Sequence, residues 1–276
     1  MILKRFIKHK LALVGAVVLL GFLTTAIFQA QIAPYNPLGF DPALQGQGPS
    51  WKHPFGLDQI GRDVLSRVIY GTRVDLKVGF LATGIALVIG TVLGLLGGYY
   101  GGRIDIVIMR FIDSLMAIPM LLFTMLVVAT IGSNINYLLI AIGVPLSALF
   151  ARATRAEVLT IKTNTYILSA VAIGCRDKRI LIHYVLRNAF PPIIVLATFT
   201  VAQAILLEAS LGFLGLGVQP PEPSWGSILG EGRAYMLSYP HIAAFGGLVI
   251  SLCVFALNFV GDGLRDALDP HLRGRF

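Results

Sequence analysis

Charge is scarce in this 276-residue chain, with Asp, Glu, Lys and Arg making up 13% of it. A soluble domain carries about 25%, and a chain of this size needs a polar surface if water is its only solvent. The deficit argues against an ordinary soluble globule and for a bilayer as second solvent. Cysteine is scarcer still: Cys175 and Cys253 are the only two. They lack metal-ligand spacing, and no His/Cys cluster accompanies them, which argues against a zinc site and a disulfide framework. The chain also lacks a GxxxxGK[ST] phosphate loop, HExxH and GxSxG. It is therefore not expected to be an enzyme, and no cofactor or metal is expected. The long apolar stretches are nearly free of carboxylates, which argues against a proton-coupled secondary transporter. The net charge of +8 comes without a basic stripe interleaved with aromatics, so a nucleic-acid partner is not expected.

What is abundant is apolar sequence, at 56%. Leu11 to Ala33 and Val78 to Tyr100 are free of charge, and so is the whole of Ser114 to Ala151. A crossing of a ~30 Å hydrocarbon core needs about 20 residues at ~1.5 Å each, so the last run is too long for one span. Gly132 to Asn136 divides it with turn-forming residues. The first of its two spans is expected to enter near Ile106. Ala189 to Leu207 supplies a fifth span, and Ala234 to Gly261 a sixth, beginning near Ile242. The first stretch is too long for a signal h-region and reads as an uncleaved span.

The runs are continuous rather than alternating, so helices are expected and a barrel is not. The predicted fold is all-α, a polytopic membrane protein with six transmembrane helices in contact with lipid. Gly90 and Gly94 have the small-xxx-small spacing that lets helices approach closely.

Orientation follows from the basic residues. With the N-terminus inside, the outer segments hold Lys52, Arg62, Arg67, Arg73, Lys77 and Arg233, and the other basic residues, among them Lys4, Arg5, Lys8, Arg273 and Arg275, fall inside. The division expected is a cytoplasmic segment 1–10, a first transmembrane helix 11–33, an extracytoplasmic loop 34–75, and a five-helix core 76–261 carrying a cytoplasmic loop 157–188. A cytoplasmic tail 262–276 completes it.

The inner loop is helix-friendly and basic. Tyr166 to Ala172 is a small, apolar, helix-like run, and Ile173-Gly174 reads as its end. Cys175 to Arg179 is a polar turn, after which Ile180 to Leu186 resumes apolar character. Pro191-Pro192 is expected at the start of the fifth span, where a missing N–H is tolerated. The pattern is helix, turn, helix beneath the membrane, with more apolar residues than a solvated connector needs. A partner surface is the expectation.

This loop resembles the cytoplasmic signature of ABC importer permeases: EAA, three residues, Gly, nine residues, then I-x-L-P. Leu168-Ser169-Ala170 stand at the EAA positions, Gly174 at the Gly, and Tyr184 and Leu186 at the I and L. Arg187 stands where the family has Pro. His183 to Ala189 resembles the tail of the peptide and nickel subfamily. His53 to Arg67, Leu211 to Pro221 with Ser224-Trp225-Gly226, and Asn258 to Pro270 resemble the outer loops and C-terminus of its second permease type. The matches fall in order across almost the whole chain.

The resemblance implies a type I ABC importer permease fold in the cytoplasmic (inner) membrane, with both termini cytoplasmic. It implies a heterodimer with a homologous permease subunit, two ABC ATPase subunits on the inner face, and an extracytoplasmic substrate-binding protein. ATP hydrolysis then belongs to the partners. Dipeptides or oligopeptides are the implied substrates, with nickel as the alternative. The implied ATPase-coupling helix carries Tyr166, Ser169, Ala170, Gly174, Cys175, Arg176, Asp177 and Arg179.

The outer motif Gly56, Asp58, Gly61, Arg62, Asp63 and Arg67 mixes turn residues with alternating charge, which suits an ordered platform with internal Arg–Asp pairs. Leu211 to Gly217 alternates Gly with apolar residues and is expected to fold back, and Trp225 suits an interfacial anchor. Glu208 follows 189–207, a stretch without charge. An ionisable group at membrane depth is a candidate pathway residue; the alternatives are snorkelling or pairing with Arg233. Arg110 and Asp113 are spaced to pair on one helix face. His241 is expected at the membrane interface, not as a ligand. Asp262, Asp266 and Asp269 are expected to be structural, neutralised by Arg265 and Arg273.

Overall fold

The computed structural model describes residues 6, 7 and 9–268. Lys4, Arg5, Lys8, Asp269, Arg273 and Arg275 lie outside the described residues. Helices dominate: α1 is Lys10–Ile27, α2 Gln29–Ile32, α3 Val64–Tyr100, α4 Gly102–Met116 and α5 Met120–Ile131. They are followed by α6 Ile135–Ile161, α7 Thr165–Ala172, α8 Asp177–Phe213, α9 Trp225–Ala234 and α10 Pro240–Leu268. Among the described residues only isolated β-bridges occur, Phe40 with Arg62 and Leu57 with Asp63.

Helices α1, α3, α6, α8 and α10 are each long and apolar enough to cross a membrane. The third crossing differs from the single helix expected from near Ile106. Helix α4 starts at Gly102, and α4 and α5 meet at 84°. Pro119 is the cause: it has no N–H to give and disfavours the α region for Ile118 before it. The Gly132–Asn136 break is present, with Gly132 at φ +106 and Asn134 accepting from the Asn136 N–H at the start of α6. Helix α3 begins at Val64, inside the 34–75 segment, because the Asp63 carboxylate caps it by accepting from the Ser66 N–H at 2.7 Å.

The most extensive helix contact is between α3 and α6. Glycine makes it possible: a Cβ on Gly90 would lie 2.2 Å from the Ser147 carbonyl oxygen, and one on Gly94 2.5 Å from that of Ala151. Helix α1 is peripheral and packs through Gly15 onto Ala256 and Phe259 of α10, with Leu13, Val17 and Leu20 left exposed.

Two further expectations are corrected. Arg110 and Asp113 do not pair. Asp113 reaches across to Arg152 of α6 at 2.6 Å, and Asp105 to Arg155 at 2.5 Å; neighbouring helices bring partners that a single-helix reading does not see. Pro191 and Pro192 lie inside α8 rather than at its start, because the helix is already running from Asp177 and passes through a π-helical turn at Ile180–Val185. Asp262, Arg265 and Asp266 continue α10 as helix, with Asp266 3.7 Å from His9.

Candidate functional site

The 157–188 segment folds as α7 between the ends of α6 and α8. Helix α7 ends in a Schellman turn: Gly174 N–H donates to Val171 and Cys175 N–H to Ala170, with Gly174 at φ +77. Ile167, Ala170 and Ile180 are buried beneath it, whereas Tyr166, Leu168, Val171 and Ile173 point outward, Ile173 at 80% exposure. Ser169, Arg176, Asp177 and Arg179 are exposed and Cys175 is half-buried. A rigidly capped helix thus presents an apolar ridge edged with charge.

The element is tied to the helix core. Tyr99, at the end of α3, donates its hydroxyl to Asp177 at 2.9 Å. Lys162 donates to the Gly98 carbonyl at 3.0 Å, and Arg155 grips Asp105 through two hydrogen bonds. The start of α8 is thus bonded to α3, the end of α6 to α3, and the body of α6 to α4.

The outer motif also folds as an ordered unit. Asp58 is fully buried; it accepts the Ile60 and Arg62 N–H groups on one oxygen and Arg62 Nε and Arg67 Nη1 on the other. Glu231 of α9 completes the cluster, accepting both Arg67 nitrogens at 2.8 Å, Arg62 at 2.6 Å and Gln59 at 3.0 Å. Burial pushes the Glu231 carboxyl up, but the hydrogen bonds and charge of Arg67, with help from Gln59 and Arg62, hold it below its ordinary value. Gly61 sits at φ +88, and a Cβ there would lie 2.0 Å from the Asp41 carbonyl oxygen. Gly56 is at φ +75 against His241, whose Nε2 lies 2.9 Å from the Leu57 carbonyl and ties α10 to this loop. Asp63 caps α3 and meets His53 at 2.9 Å. A cavity of about 420 Å³ opens beside the cluster, lined in part by Arg62, Arg67, Phe213, Gly217, Gln219 and Glu231.

Leu211 to Gly217 folds back on the end of α8, with Leu216 N–H donating to Leu211 at 2.8 Å. Trp225 is not an interfacial anchor. It is fully buried, its indole Nε1 donates to the Val68 carbonyl at 3.1 Å, and its N–H to Asp75 at 2.9 Å. Its apolar bulk packs between Gly71 of α3 and Phe22 of α1, and both its N–H groups find partners on α3. Glu208 is fully buried too and faces the Asp75 carboxyl; Arg233 instead lies over the Phe213 ring at 5.1 Å. The reading of residues in order along the chain missed Glu231 and Asp75. Their partners are 164 and 150 residues away, and basic neighbours in sequence, Arg73 and Lys77 for Asp75 and Arg233 for Glu231, give no hint of them.

A family profile described as "Binding-protein-dependent transport system inner membrane component" matches residues 90–274, and one described as "N-terminal TM domain of oligopeptide transport permease C" matches 1–49. The chain is 42% identical, over 98% of its length and 89% of the relative, to the dipeptide transport system permease protein DppC of Alkalihalophilus pseudofirmus. It is 44% identical, over 98% of its length and 90% of the relative, to the glutathione transport system permease protein GsiD of Escherichia coli O157:H7. Among solved structures, the fold matches a chain of the inward-facing MetNI methionine ABC transporter with a TM-score of 0.61. That match is 19% identical and covers 74% of this chain and 97% of the other.

Proposed function

The chain belongs to the binding-protein-dependent transport system inner membrane component family of ABC importer permeases, and from that premise we propose that it carries dipeptides or oligopeptides across the inner membrane. Both named relatives move peptides, one dipeptides and the other glutathione, which favours a peptide over nickel. As a multi-pass membrane subunit without a phosphate-binding loop, it takes its energy from ATPase partners.

The observation that carries the mechanism is the capped helix α7, whose ridge of Leu168, Val171 and Ile173 is left exposed among the described residues. Tyr166, Ser169, Ala170, Gly174, Cys175, Arg176, Asp177 and Arg179 form the coupling element seated in an ATPase groove on the cytoplasmic side, with both termini on that side. Closure of two ATPases pushes this element. The Tyr99–Asp177, Lys162–Gly98 and Arg155–Asp105 links pass the push to α3, α4 and α6, a packed unit able to switch between discrete arrangements. A homologous permease faces this one across the pathway. On the other side, the cluster of Gly56, Asp58, Gly61, Arg62, Asp63 and Arg67 with Glu231 is a preformed platform for the substrate-binding protein. In this reading the segments 1–10, 157–188 and 262–276 are cytoplasmic, and the loop from 34 to the start of α3 is extracytoplasmic.

Reconstitution tests this. Proteoliposomes holding the permease pair, the ATPases and the binding protein are expected to accumulate a dipeptide only with ATP. Flux through this chain alone, without ATPases, contradicts the proposal.

A further inference from the structure

Two carboxyl groups meet in the interior of this protein, and among the described residues neither is ion-paired. Asp75 on α3 and Glu208 on α8 are both fully buried, about one turn from where Gly79 of α3 packs on Ile205 of α8, and their carboxyl groups face one another. One oxygen of Asp75 accepts the Trp225 N–H at 2.9 Å. Its other oxygen, and both oxygens of Glu208, are buried and have no donor in full hydrogen-bond geometry. The Ser224 side chain and the Val218 N–H lie at the edge of Glu208, and Gly217 closes over it, a Cβ there being 3.4 Å from Glu208 Oε1.

Among the described residues no counter-charge is paired with either carboxyl. Every ion pair among the described residues lies elsewhere, on Asp58, Asp63, Asp105, Asp113, Glu231 and Asp266. The other titratable group facing the pair is Cys253 of α10, also buried and beside Asp75; α9 contributes Trp225 and, ahead of it, Ser224. Two touching carboxylates cannot both ionise in such a place. A single proton resolves the difficulty. It turns one carboxyl into an O–H donor to the other, makes a short charge-assisted bond, and supplies a well-aligned partner for oxygens that otherwise lack one.

We propose that Asp75 and Glu208 form a buried binding site for one proton, and that this proton clasps α3, α8 and the start of α9 together. The clasp explains why a carboxylate sits at the end of a long uncharged run, and why Trp225 is buried rather than interfacial. Asp75 holds Trp225 through its backbone, and Glu208 holds Asp75 through the proton. Removal of the proton leaves two repelling charges at the joint and frees the 214–224 turn that packs over it. This inference does not depend on the coupling role of α7.

Infrared spectroscopy of the transporter complex purified in lipid nanodiscs tests it. The native complex at neutral pH is expected to show the carbonyl stretch of a protonated carboxylic acid, shifted by deuterium exchange and indifferent to sodium ions. Asp75→Asn and Glu208→Gln are each expected to abolish the band, because the amide donates to the remaining carboxylate. Absence of the band in the native complex, its survival in both variants, or its appearance only when sodium is withdrawn overturns the proposal; the last result identifies a cation site instead. The native measurement stands even if a variant fails to fold.

Discussion

Tyr99 donates its hydroxyl to Asp177 at 2.9 Å, at the end of the helix core that carries α7. The bond joins the last turn of α3 to the first turn of α8, either side of the capped helix α7. It is exposed and so stabilises the fold by no more than about 1 kcal/mol, but in the proposed mechanism it lies on the route by which motion of α7 reaches α3. Tyr99→Phe is therefore expected to leave expression and thermal stability near native while lowering substrate transported per ATP hydrolysed. An unchanged transport-to-hydrolysis ratio removes this bond from the coupling route.

Gly174 separates two effects. A Cβ at this position meets no atom within 4 Å, but φ is +77, where an L-residue costs about 1–2 kcal/mol. Gly174→Ala is expected to loosen the cap and weaken ATPase binding several-fold. Gly174→Arg adds bulk to the docking ridge and is expected to abolish ATPase co-purification while the protein still inserts. Normal co-purification of ATPases with the Arg variant contradicts the assignment of α7.

Arg67 lies between Asp58 and Glu231 and its side chain is only 4% exposed. Arg67→Met leaves the fully buried Asp58 ion-paired with Arg62 alone, beside the backbone N–H groups of Ile60 and Arg62, and loss of one partner from a buried ion cluster costs about 3 kcal/mol. The expected result is a fall in the melting temperature of the purified complex, together with faster proteolysis in the 34–63 loop. A melting temperature within error of the native one shows that Arg62 holds the platform by itself.

The Glu231 carboxyl is held below its ordinary value by Arg67 after burial has raised it. The sign follows from linkage: a group depressed in the folded state stabilises fully above its unfolded value, about 4.3. That contribution is lost as pH falls from there through the lower folded value. Limited proteolysis of the outer loop is expected to be flat from neutral pH to about 5 and to accelerate below it. Glu231→Gln is expected to show fast cleavage at neutral pH and a weaker acid dependence. An acid profile identical to native in that variant assigns the effect to another carboxylate.

Much of this architecture is legible in the residue order because lipid imposes length and continuity on apolar runs. The apolar run at 78–100, the Gly132 break and the helix–Gly174–helix pattern reappear in the fold, whereas the run at 11–33 is divided at Phe28 into α1 and α2. What is not legible depends on neighbours far along the chain. Trp225 carries the same side chain whether it sits at an interface or, as here, under α3 with its indole on Val68. Arg110 and Asp113 have ideal spacing, but α6 presents Arg152 closer to hand. The break at Pro119 is hidden inside an uncharged run whose hydropathy does not register a bend. Of the outer cluster, the Asp58–Arg62 and Asp58–Arg67 pairs follow from the motif, whereas Glu231 arrives only when α9 folds back over it.

The most direct test of α7 as the element gripped by a cytoplasmic motor is labelling of Cys175, which is half-buried while Cys253, the only other cysteine, is buried. A membrane-impermeant maleimide is expected to label Cys175 in inverted vesicles stripped of ATPases, to be blocked when the ATPases are restored, and to leave right-side-out vesicles unlabelled. Labelling in right-side-out vesicles, or labelling indifferent to the ATPases, contradicts the account.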